Sequence, residues 1–409
     1  MIEKPAVLAI FALTYLGIAA GRVPGLKLDR TGIVMLGAIA IMVFGGLTTP
    51  AVVGYIDWPT ILLLFGFFVL SAQLRLSGFF DAVAAAIARQ LSRPARFLLL
   101  LMLSTAALSA FLNHDIVCYV FTPVVAMALL ARRLNPVPFL IAIAIASNIG
   151  AAATFVGNPQ DLMIAQIAGL GFGAYVLWCC VPVLFAFACA YASIWLLSRK
   201  RLADAPMQVP AAAVSDPPYN RFHTYKGLVI LAAVIGLLFT PLPKPLVVMT
   251  AAAIHLASTK FRTADLLKLV DWPILVLFMG LFVVTGAFQS TGYGDQAMQW
   301  LTHAGVKLQS LPVLTVITAA LSNLINNSAT VMLLLKVAHI NQPPAAYVLA
   351  LANSFGGSLI IVGSVSNIIV VQQARELGIH ISFRDFARFG VPVTLAALAG
   401  LIGWVLLVT

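Results

Sequence analysis

Long apolar segments recur along the whole chain, and each is close to the roughly 20 residues that cross a bilayer as an α-helix. The composition agrees, because 62% of the residues are hydrophobic and only 9% are charged, with a mean hydropathy of +1.03. Soluble domains carry about 25% charged residues. The strands of a membrane β-barrel would alternate polar and apolar residues, which these segments do not. The sequence therefore predicts an all-α polytopic membrane protein.

Ten of the apolar segments are predicted to span the membrane, five in each half of the chain. The predicted spans cover residues 6–21, 33–47, 60–76, 139–156, 174–197, 227–239, 246–257, 274–288, 345–362 and 391–408. A pair of shorter apolar arms lies between the third and fourth span of each half. We predict that these arms form two re-entrant hairpins, an inner one at 97–130 and an outer one at 311–340.

The two halves are related in sequence. Starting at Asp57 and at Asp271, the chain reads "DWPTILLLFGFFVLSAQLRLSGFFDA" and "DWPILVLFMGLFVVTGAFQSTGYGDQA". Further on, "LSAFLNHD" matches "LSNLINNS", and "ASNIGAAATFVGNP" matches "ANSFGGSLIIVGSV". Five spans is an odd number and a hairpin pair returns to its starting side, so the second half must be inverted. We predict a first repeat at 1–197, a cytoplasmic linker at 198–226 and a second repeat at 227–409.

The distribution of basic residues predicts the orientation of the chain. If the N-terminus is outside, all but four of the 24 Lys and Arg residues fall on the inner side; the exceptions are Lys4, Lys244, Lys307 and Lys336. The positive-inside rule favours this arrangement, with both termini outside. The net charge of +11 is therefore a topology signal spread over the loops, and no nucleic-acid partner is predicted.

Polar residues interrupt the apolar segments at four places: the two hairpin tips and the spans 139–156 and 345–362. Broken helices leave free carbonyls at one end and free N–H groups at the other, which suit a cation and an anion respectively. Paired interruptions of this kind are typical of secondary transporters with inverted repeats. The predicted substrate and ion-binding residues are Asn113, His114, Asp115, Ser147, Asn148, Gly157, Asn158, Asn326, Asn327, Ser328, Thr330, Asn353, Ser354, Gly363, Ser366 and Asn367.

Asp115 is the most informative of these residues. A charged carboxylate at membrane depth costs at least about 2.5–3.5 kcal/mol, so a functional role is its default interpretation. The alternative is a pairing with His114 that only fixes the hairpin tip, and small polar residues elsewhere can simply hold helices together. We expect no Lys or Arg at the depth of the interruptions. The predicted Na⁺ ligands are Asn113, Asp115, Asn148, Asn327 and Ser328.

Three segments carry a family resemblance: "ASNIGAAATFVGNPQDLMI", "LSNLINNSATVMLLL" and "ANSFGGSLIIVGSVSNIIVVQQARELGIHISFRDFARFGVPV". They resemble the ion transporter superfamily, which includes citrate and dicarboxylate:sodium symporters and arsenical pump membrane proteins. The chain is most similar to its small bacterial arsenical-pump-like anion permeases. The resemblance implies a scaffold domain and a moving transport domain, in a homodimer. It also implies Ser-Asn-Thr at each hairpin tip of a dicarboxylate symporter, a pattern from which both tips here depart.

The sequence thus predicts a secondary active transporter of a small anion, coupled to Na⁺ or H⁺, in the bacterial inner membrane. An elevator-type movement of the hairpins and broken helices is expected. Two alternatives remain open: an arsenite or antimonite efflux permease working by H⁺ exchange, and a Na⁺/H⁺ antiporter. The sequence contains neither a His/Glu metal motif nor a nucleophile elbow, and its four cysteines have no metal-binding spacing. We therefore predict no enzymatic activity and no cofactor.

Overall fold

α-Helices form nearly all the regular structure of the computed structural model, which describes residues 4–21, 25–90, 94–199, 219–257, 260–340 and 342–408. None of these described residues lies in a β-strand. The helices of the first half are α1 (Lys4–Ala20), α2 (Arg30–Phe44), α3 (Thr49–Tyr55), α4 (Trp58–Leu76), α5 (Phe79–Ala88), α6 (Pro94–Phe111), α7 (His114–Ala131), α8 (Val137–Ala151), α9 (Pro159–Ile167) and α10 (Phe172–Ser198).

The second half repeats this order of helices. They are α11 (Arg221–Leu238), α12 (Lys244–Leu256), α13 (Thr263–Lys268), α14 (Trp272–Ser290), α15 (Tyr293–His303), α16 (Leu311–Leu324), α17 (Asn327–Lys336), α18 (Ala345–Gly356), α19 (Val365–Glu376) and α20 (Phe383–Val408). A short 3₁₀ turn, Ile361–Gly363, lies between α18 and α19. Each helix of the first half therefore has a counterpart of the same rank in the second.

Seven of the described helices are long and apolar enough to cross a membrane: α4, α6, α7, α10, α11, α14 and α20. The other predicted spans form the shorter helices α1, α2, α8, α12 and α18, and α8 and α18 are the two that the sequence predicted to be broken. The prediction of an all-α polytopic membrane protein is confirmed.

The two hairpins differ in the length of their arms. α16 and α17 have 14 and 10 residues. At 1.5 Å per residue they extend about 21 and 15 Å, less than the bilayer core of about 30 Å. α6 and α7 have 18 residues each and are long enough to cross by themselves. The lengths thus favour a re-entrant form for the outer hairpin, and for the inner hairpin that form stays a prediction.

Matched caps begin the matched helices. The side chain of Asp57 accepts a hydrogen bond from the N–H of Thr60 at the start of α4, and that of Asp271 accepts one from Ile274 at the start of α14. Both helices also have a proline in the first turn. Proline has no N–H, so it leaves no unpaired donor at the helix start. The repeated "DWP" is therefore a helix-start signal, as N-capping predicts.

The two halves are interlocked in the core. α4 packs against α12, and α14 packs against α2. Both crossings depend on a glycine. A Cβ on Gly66 would lie 2.6 Å from Val248 Cγ1, and a Cβ on Gly280 would lie 2.6 Å from Val34 Cγ1. Small residues of this kind let membrane helices approach closely. Each half therefore supplies a surface on which the other half's central helix packs.

The predicted linker, 198–226, is helical at both of its ends. α10 extends through Ser198, and α11 begins at Arg221. Residues 200–218, which form the middle of this segment, lie outside the described residues. The inversion of the second half, the orientation of the termini and the cytoplasmic position of the linker stay predictions.

Candidate functional site

The two hairpin tips and the two interrupted spans meet at one cavity of about 610 Å³. First-turn or capping residues of four helices, α7, α9, α17 and α19, contribute to its wall. Exposed backbone N–H groups and a partial positive charge are found at such helix starts. The wall residues from these segments are His114, Asp115, Asn148, Asn158, Pro159, Gln160, Asn323, Leu324, Asn326, Asn327, Ser328, Ser354, Val362, Ser364, Val365 and Ile368.

The inner hairpin tip places His114 and Asp115 on this wall. His114 Nδ1 lies 3.0 Å from the carbonyl oxygen of Gly157, and its Nε2 lies 3.5 Å from Asp115 Oδ1. Because a carbonyl only accepts, Nδ1 carries the hydrogen of this bond. Nε2 can then donate to Asp115 only when the pair holds one further proton. The two side chains are therefore within ion-pair distance, while Asp115 Oδ1 has no hydrogen-bond partner among the described residues.

Asn113 has a different position from its two neighbours. Its side chain accepts a hydrogen bond of 2.8 Å from the N–H of Asp115 and caps α7, while its own N–H donates to Ser71 Oγ at 3.3 Å. It does not line the cavity. Asn113 thus orients the start of the helix that carries His114 and Asp115.

The outer hairpin tip has the same local design. Asn326 caps α17 by accepting a hydrogen bond of 2.9 Å from the N–H of Ser328. Gln160, in the first turn of α9, donates through Nε2 to Ser328 Oγ at 2.7 Å. The buried Oδ1 of Asn327 has no hydrogen-bond partner among the described residues. The outer tip is therefore attached to the interrupted span of the first half.

The interrupted spans are joined across the repeat. Asn148 Nδ2 in α8 donates to Asn367 Oδ1 in α19 at 3.0 Å, and Ser366 Oγ donates to Asn148 Oδ1 at 3.3 Å. The repeat relates this contact to a second one, in which Ser354 Oγ in α18 donates to Asp161 Oδ2 in α9 at 3.2 Å. These bonds hold four half-length helices in one cluster beside the cavity.

Asp161 is the residue of this cluster that the sequence analysis left out of the predicted site. It is fully buried, and its Oδ2 also accepts a hydrogen bond of 2.8 Å from Asn158 Nδ2. Asp161 lies two residues after Pro159, in the first turn of a helix. Exposed acidic residues are also common at such positions, so the position alone does not indicate a binding site. The repeat alignment contained the missing signal, because Asp161 and Asn367 both lie four residues beyond the matched Gly157 and Gly363.

Half of the predicted binding residues line the cavity and half lie behind it. Ser147, for example, accepts a hydrogen bond from Cys118 Sγ at 3.1 Å, and Gly157 packs closely on the backbone of Ser109. Four predicted Na⁺ ligands, Asp115, Asn148, Asn327 and Ser328, share the wall, and the fifth, Asn113, does not. The predicted residues behind the wall are Asn113, Ser147, Gly157, Thr330, Asn353, Gly363, Ser366 and Asn367.

Charged side chains outside the four interruptions also line the cavity. Arg30 and Asp29 lie at the start of α2, and Asp271 lies at the start of α14. Arg30 is half-buried, and its predicted position on the cytoplasmic side stays a prediction. Asp29 is a cap, since it accepts a hydrogen bond of 2.8 Å from the N–H of Gly32. One guanidinium is thus available at the cavity wall, which the sequence analysis did not expect.

Within the described part of the chain, no three His, Cys, Asp or Glu residues are grouped as ligands for a metal ion. The polar wall instead presents amides, hydroxyls and helix N-termini.

Comparison with known proteins decides the class of this protein. A family profile described as "Citrate transporter" matches residues 7–343. The chain belongs to the citrate transporter family. The resemblance to the ion transporter superfamily is thereby confirmed.

Relatives of this citrate transporter family member cover nearly the whole chain. An uncharacterized transporter of Mycobacterium tuberculosis is 30% identical, over 96% of this chain and 95% of its own. The silicon efflux transporter LSI3 of Oryza sativa subsp. japonica is 27% identical, over 92% of both chains. The inner membrane protein YbiR of Escherichia coli is 26% identical, over 86% of this chain and 88% of its own.

A solved structure shares the fold. The YdaH transporter of Alcanivorax borkumensis superimposes with a TM-score of 0.61 at 16% identity, covering 98% of this chain and 95% of that one. At this identity the likeness concerns the architecture alone. Together with the family match, it makes this chain a multi-pass membrane transporter of the citrate transporter family.

Proposed function

We propose that this chain is a secondary active transporter of a small anion, coupled to Na⁺ or H⁺, in the inner membrane of a bacterium. The observation that carries the proposal is the presence of four helix starts at one cavity. Backbone N–H groups and the positive ends of helix dipoles bind anions without a cationic side chain. The family description as a citrate transporter supports the same class of substrate.

The coupling ion would be held by oxygen atoms at the same wall. Asp115, Asn148, Asn327 and Ser328 supply carboxylate, amide and hydroxyl oxygens, which suit a dehydrated Na⁺. Coupling to H⁺ would instead use the His114–Asp115 pair, in which Nε2 and Oδ1 lie 3.5 Å apart. Bound cations would also offset the charge of the anion, so that both must be bound before the site moves.

We propose an elevator-type movement in which the hairpins and interrupted spans travel as one body. Each hairpin is closely packed on the interrupted span of its own half: a Cβ on Gly150 would lie 2.3 Å from Ala106 Cα, and one on Gly356 would lie 3.0 Å from Ala319 Cα. Hydrogen bonds between the first and the second half of the chain join these two hairpin-and-span pairs to each other. The interlocked helices α2, α4, α12 and α14 would form the scaffold, in a homodimer as the family resemblance implies.

Efflux of a small metalloid hydroxide is the second candidate. The relative from rice is named a silicon efflux transporter. A neutral hydroxide needs hydrogen-bond donors and acceptors and no counter-charge, and the amides and hydroxyls of the wall provide both. Four helix N-termini are better suited to an anion, which is why anion transport comes first.

The test is transport by the purified full-length protein in proteoliposomes. Citrate, succinate, phosphate, sulfate, arsenite and silicic acid would each be offered under an imposed Na⁺ gradient, an H⁺ gradient or neither. We expect uptake or counterflow of one or more of the anions, dependent on one of the gradients. Movement of arsenite or silicic acid alone would favour the second candidate. Na⁺/H⁺ exchange without any of these substrates would contradict both.

A further inference from the structure

Three helices that pack against one another, one of them carrying Asp161, each contain a buried oxygen atom without a hydrogen-bond partner among the described residues. α9, α17 and α18 pack against one another in pairs. Each carries a fully buried polar residue, namely Asp161, Thr330 and Asn353. Among the described residues, Asp161 Oδ1, Thr330 Oγ1 and Asn353 Oδ1 have no hydrogen-bond partner, and neither has Asn353 Nδ2. Buried polar atoms are nearly always satisfied, so such a concentration requires an explanation.

Complete burial opposes a charge on Asp161, and three features of its surroundings partly offset that cost. Asn158 Nδ2 and Ser354 Oγ both donate to Oδ2, and donors to a carboxylate stabilise its negative charge. The first turn of α9 adds the positive end of a helix dipole. Within the described part of the chain, no Lys, Arg or His lies within ion-pair distance of Asp161. A buried carboxyl group either holds a proton or pairs with a cation, and among the described residues no side chain supplies the cation.

The repeat provides an internal comparison. Asn367 occupies the position in the second half that Asp161 occupies in the first. Its Nδ2 donates to the carbonyls of Gly357 and Ile360 at 2.7 and 2.9 Å, and its Oδ1 accepts from Asn148. The amide is therefore fully bonded as a neutral group. The carboxylate at the related position cannot donate, so the two halves are chemically different there.

We propose that Asp161, Thr330 and Asn353 hold one dehydrated Na⁺, at a site separate from the ligands around Asp115. Carboxylate, hydroxyl and amide oxygens are hard ligands of the kind that alkali and alkaline-earth cations prefer. Asn158 and Ser354, which bond to Asp161, both line the main cavity. The ion would therefore neutralise Asp161 directly behind the anion, and its role as a coupling ion rests on the proposed function.

The test measures Na⁺ binding without any anion substrate, so it does not depend on finding that substrate. The denaturation temperature of the purified full-length protein in detergent is followed as NaCl replaces choline chloride at constant ionic strength. We expect a saturable rise in the wild type and a smaller rise with a higher Na⁺ midpoint in Asp161→Asn, in which only the ligands around Asp115 could still bind Na⁺. The Na⁺ midpoint is the NaCl concentration that gives half of the rise in denaturation temperature. Thr330→Val keeps the shape of the side chain and removes one oxygen. In this variant the Na⁺ midpoint should increase at least about tenfold.

The matched control is Thr105→Val. Thr105 is also fully buried with an unpartnered Oγ1 among the described residues, but it lies on α6. This variant should keep the wild-type midpoint. Size-exclusion chromatography checks folding, and if Asp161→Asn does not fold, the comparison of Thr330→Val with Thr105→Val decides.

Three outcomes would overturn the proposal. The first is a folded Asp161→Asn that keeps the wild-type Na⁺ midpoint. The second is an equal rise with KCl in the wild type, which would indicate a general salt effect. The third is loss of the Na⁺ response in Asp115→Asn but not in Asp161→Asn, which would place the ion at the inner hairpin tip.

Discussion

At the scale of single residues, Asp115 has the most direct role in the proposed coupling. Asp115→Asn keeps the shape of the side chain and removes its charge, so that this position no longer binds a proton and binds Na⁺ more weakly. We expect this variant to remain folded and to lose either net transport or its dependence on the coupling cation. Uptake in proteoliposomes at several pH values and Na⁺ concentrations measures both.

His114→Asn is the companion variant. It removes the group that can share a proton with Asp115, so we expect a shifted pH profile with transport retained. Unchanged rate, pH profile and cation dependence in Asp115→Asn would make Asp115 a structural residue of the tip. The coupling site would then lie at Asn148, Asn158 or the second interrupted span.

A second prediction at the scale of single residues concerns Asn367. Its Nδ2 donates to the carbonyls of Gly357 and Ile360 just after α18 ends, and the Ile360 carbonyl also accepts from the N–H of Gly363. Asn367→Ala removes the bond to the Gly357 carbonyl and one acceptor of Asn148 Nδ2, which costs about 1–3 kcal/mol. We expect a lower denaturation temperature and weaker transport. Asn135→Ala is the control, because the side chain of Asn135, in the loop before α8, makes one hydrogen bond among the described residues, accepting from the N–H of Val137 at 3.0 Å. Equal loss of stability in both variants would contradict the role given to Asn367.

At the scale of helices, the crossings of α4 with α12 and of α14 with α2 should be intolerant of added volume. Gly66→Ala places a methyl group 2.6 Å from Val248 Cγ1. Valine is stiff at χ1, so the strain is not easily relieved. We expect destabilisation of about 1–3 kcal/mol, measured as a fall in denaturation temperature, and the same for Gly280→Ala against Val34.

A double substitution separates steric strain from other causes. Val248→Ala should restore part of the stability lost in Gly66→Ala, since the two effects are coupled through one contact. Gly236→Ala is the matched control, because a Cβ at this position of α11 meets no atom within 4 Å. Simple addition of the two costs in the double variant would show that the destabilisation by Gly66→Ala does not arise at the contact with Val248.

Helix order and helix starts could be predicted from the sequence, because they depend on local signals. The repeated "DWP" fixed two caps, and the matched glycines fixed the two interruptions. Asp161 and Arg30 could not be assigned in this way. The burial of Asp161 depends on a serine nearly 200 residues away, and the position of Arg30 on the cavity wall depends on how α2 packs against α14. Local patterns do not contain such long-range contacts.

At the scale of the whole molecule, the inverted arrangement predicts which side of the membrane each loop faces. Lys27 and Lys307 are both exposed, and the sequence predicts opposite sides for them. In a background with the four native cysteines replaced by alanine, Lys307→Cys should react with a membrane-impermeant maleimide in intact cells. Lys27→Cys should react only after permeabilisation. Labelling of both from the same side would contradict the inversion.

The interlocked core also has a consequence for how the protein is made. When the first half has left the ribosome and entered the bilayer, α4 still lacks α12, and α2 still lacks α14. The faces carrying Gly66 and Val34 must then be covered by lipid or by the insertion machinery until the second half is synthesised. Assembly of the core is thus a late event in biogenesis, and a chain truncated in the middle would expose incomplete surfaces to the proteases that monitor the membrane.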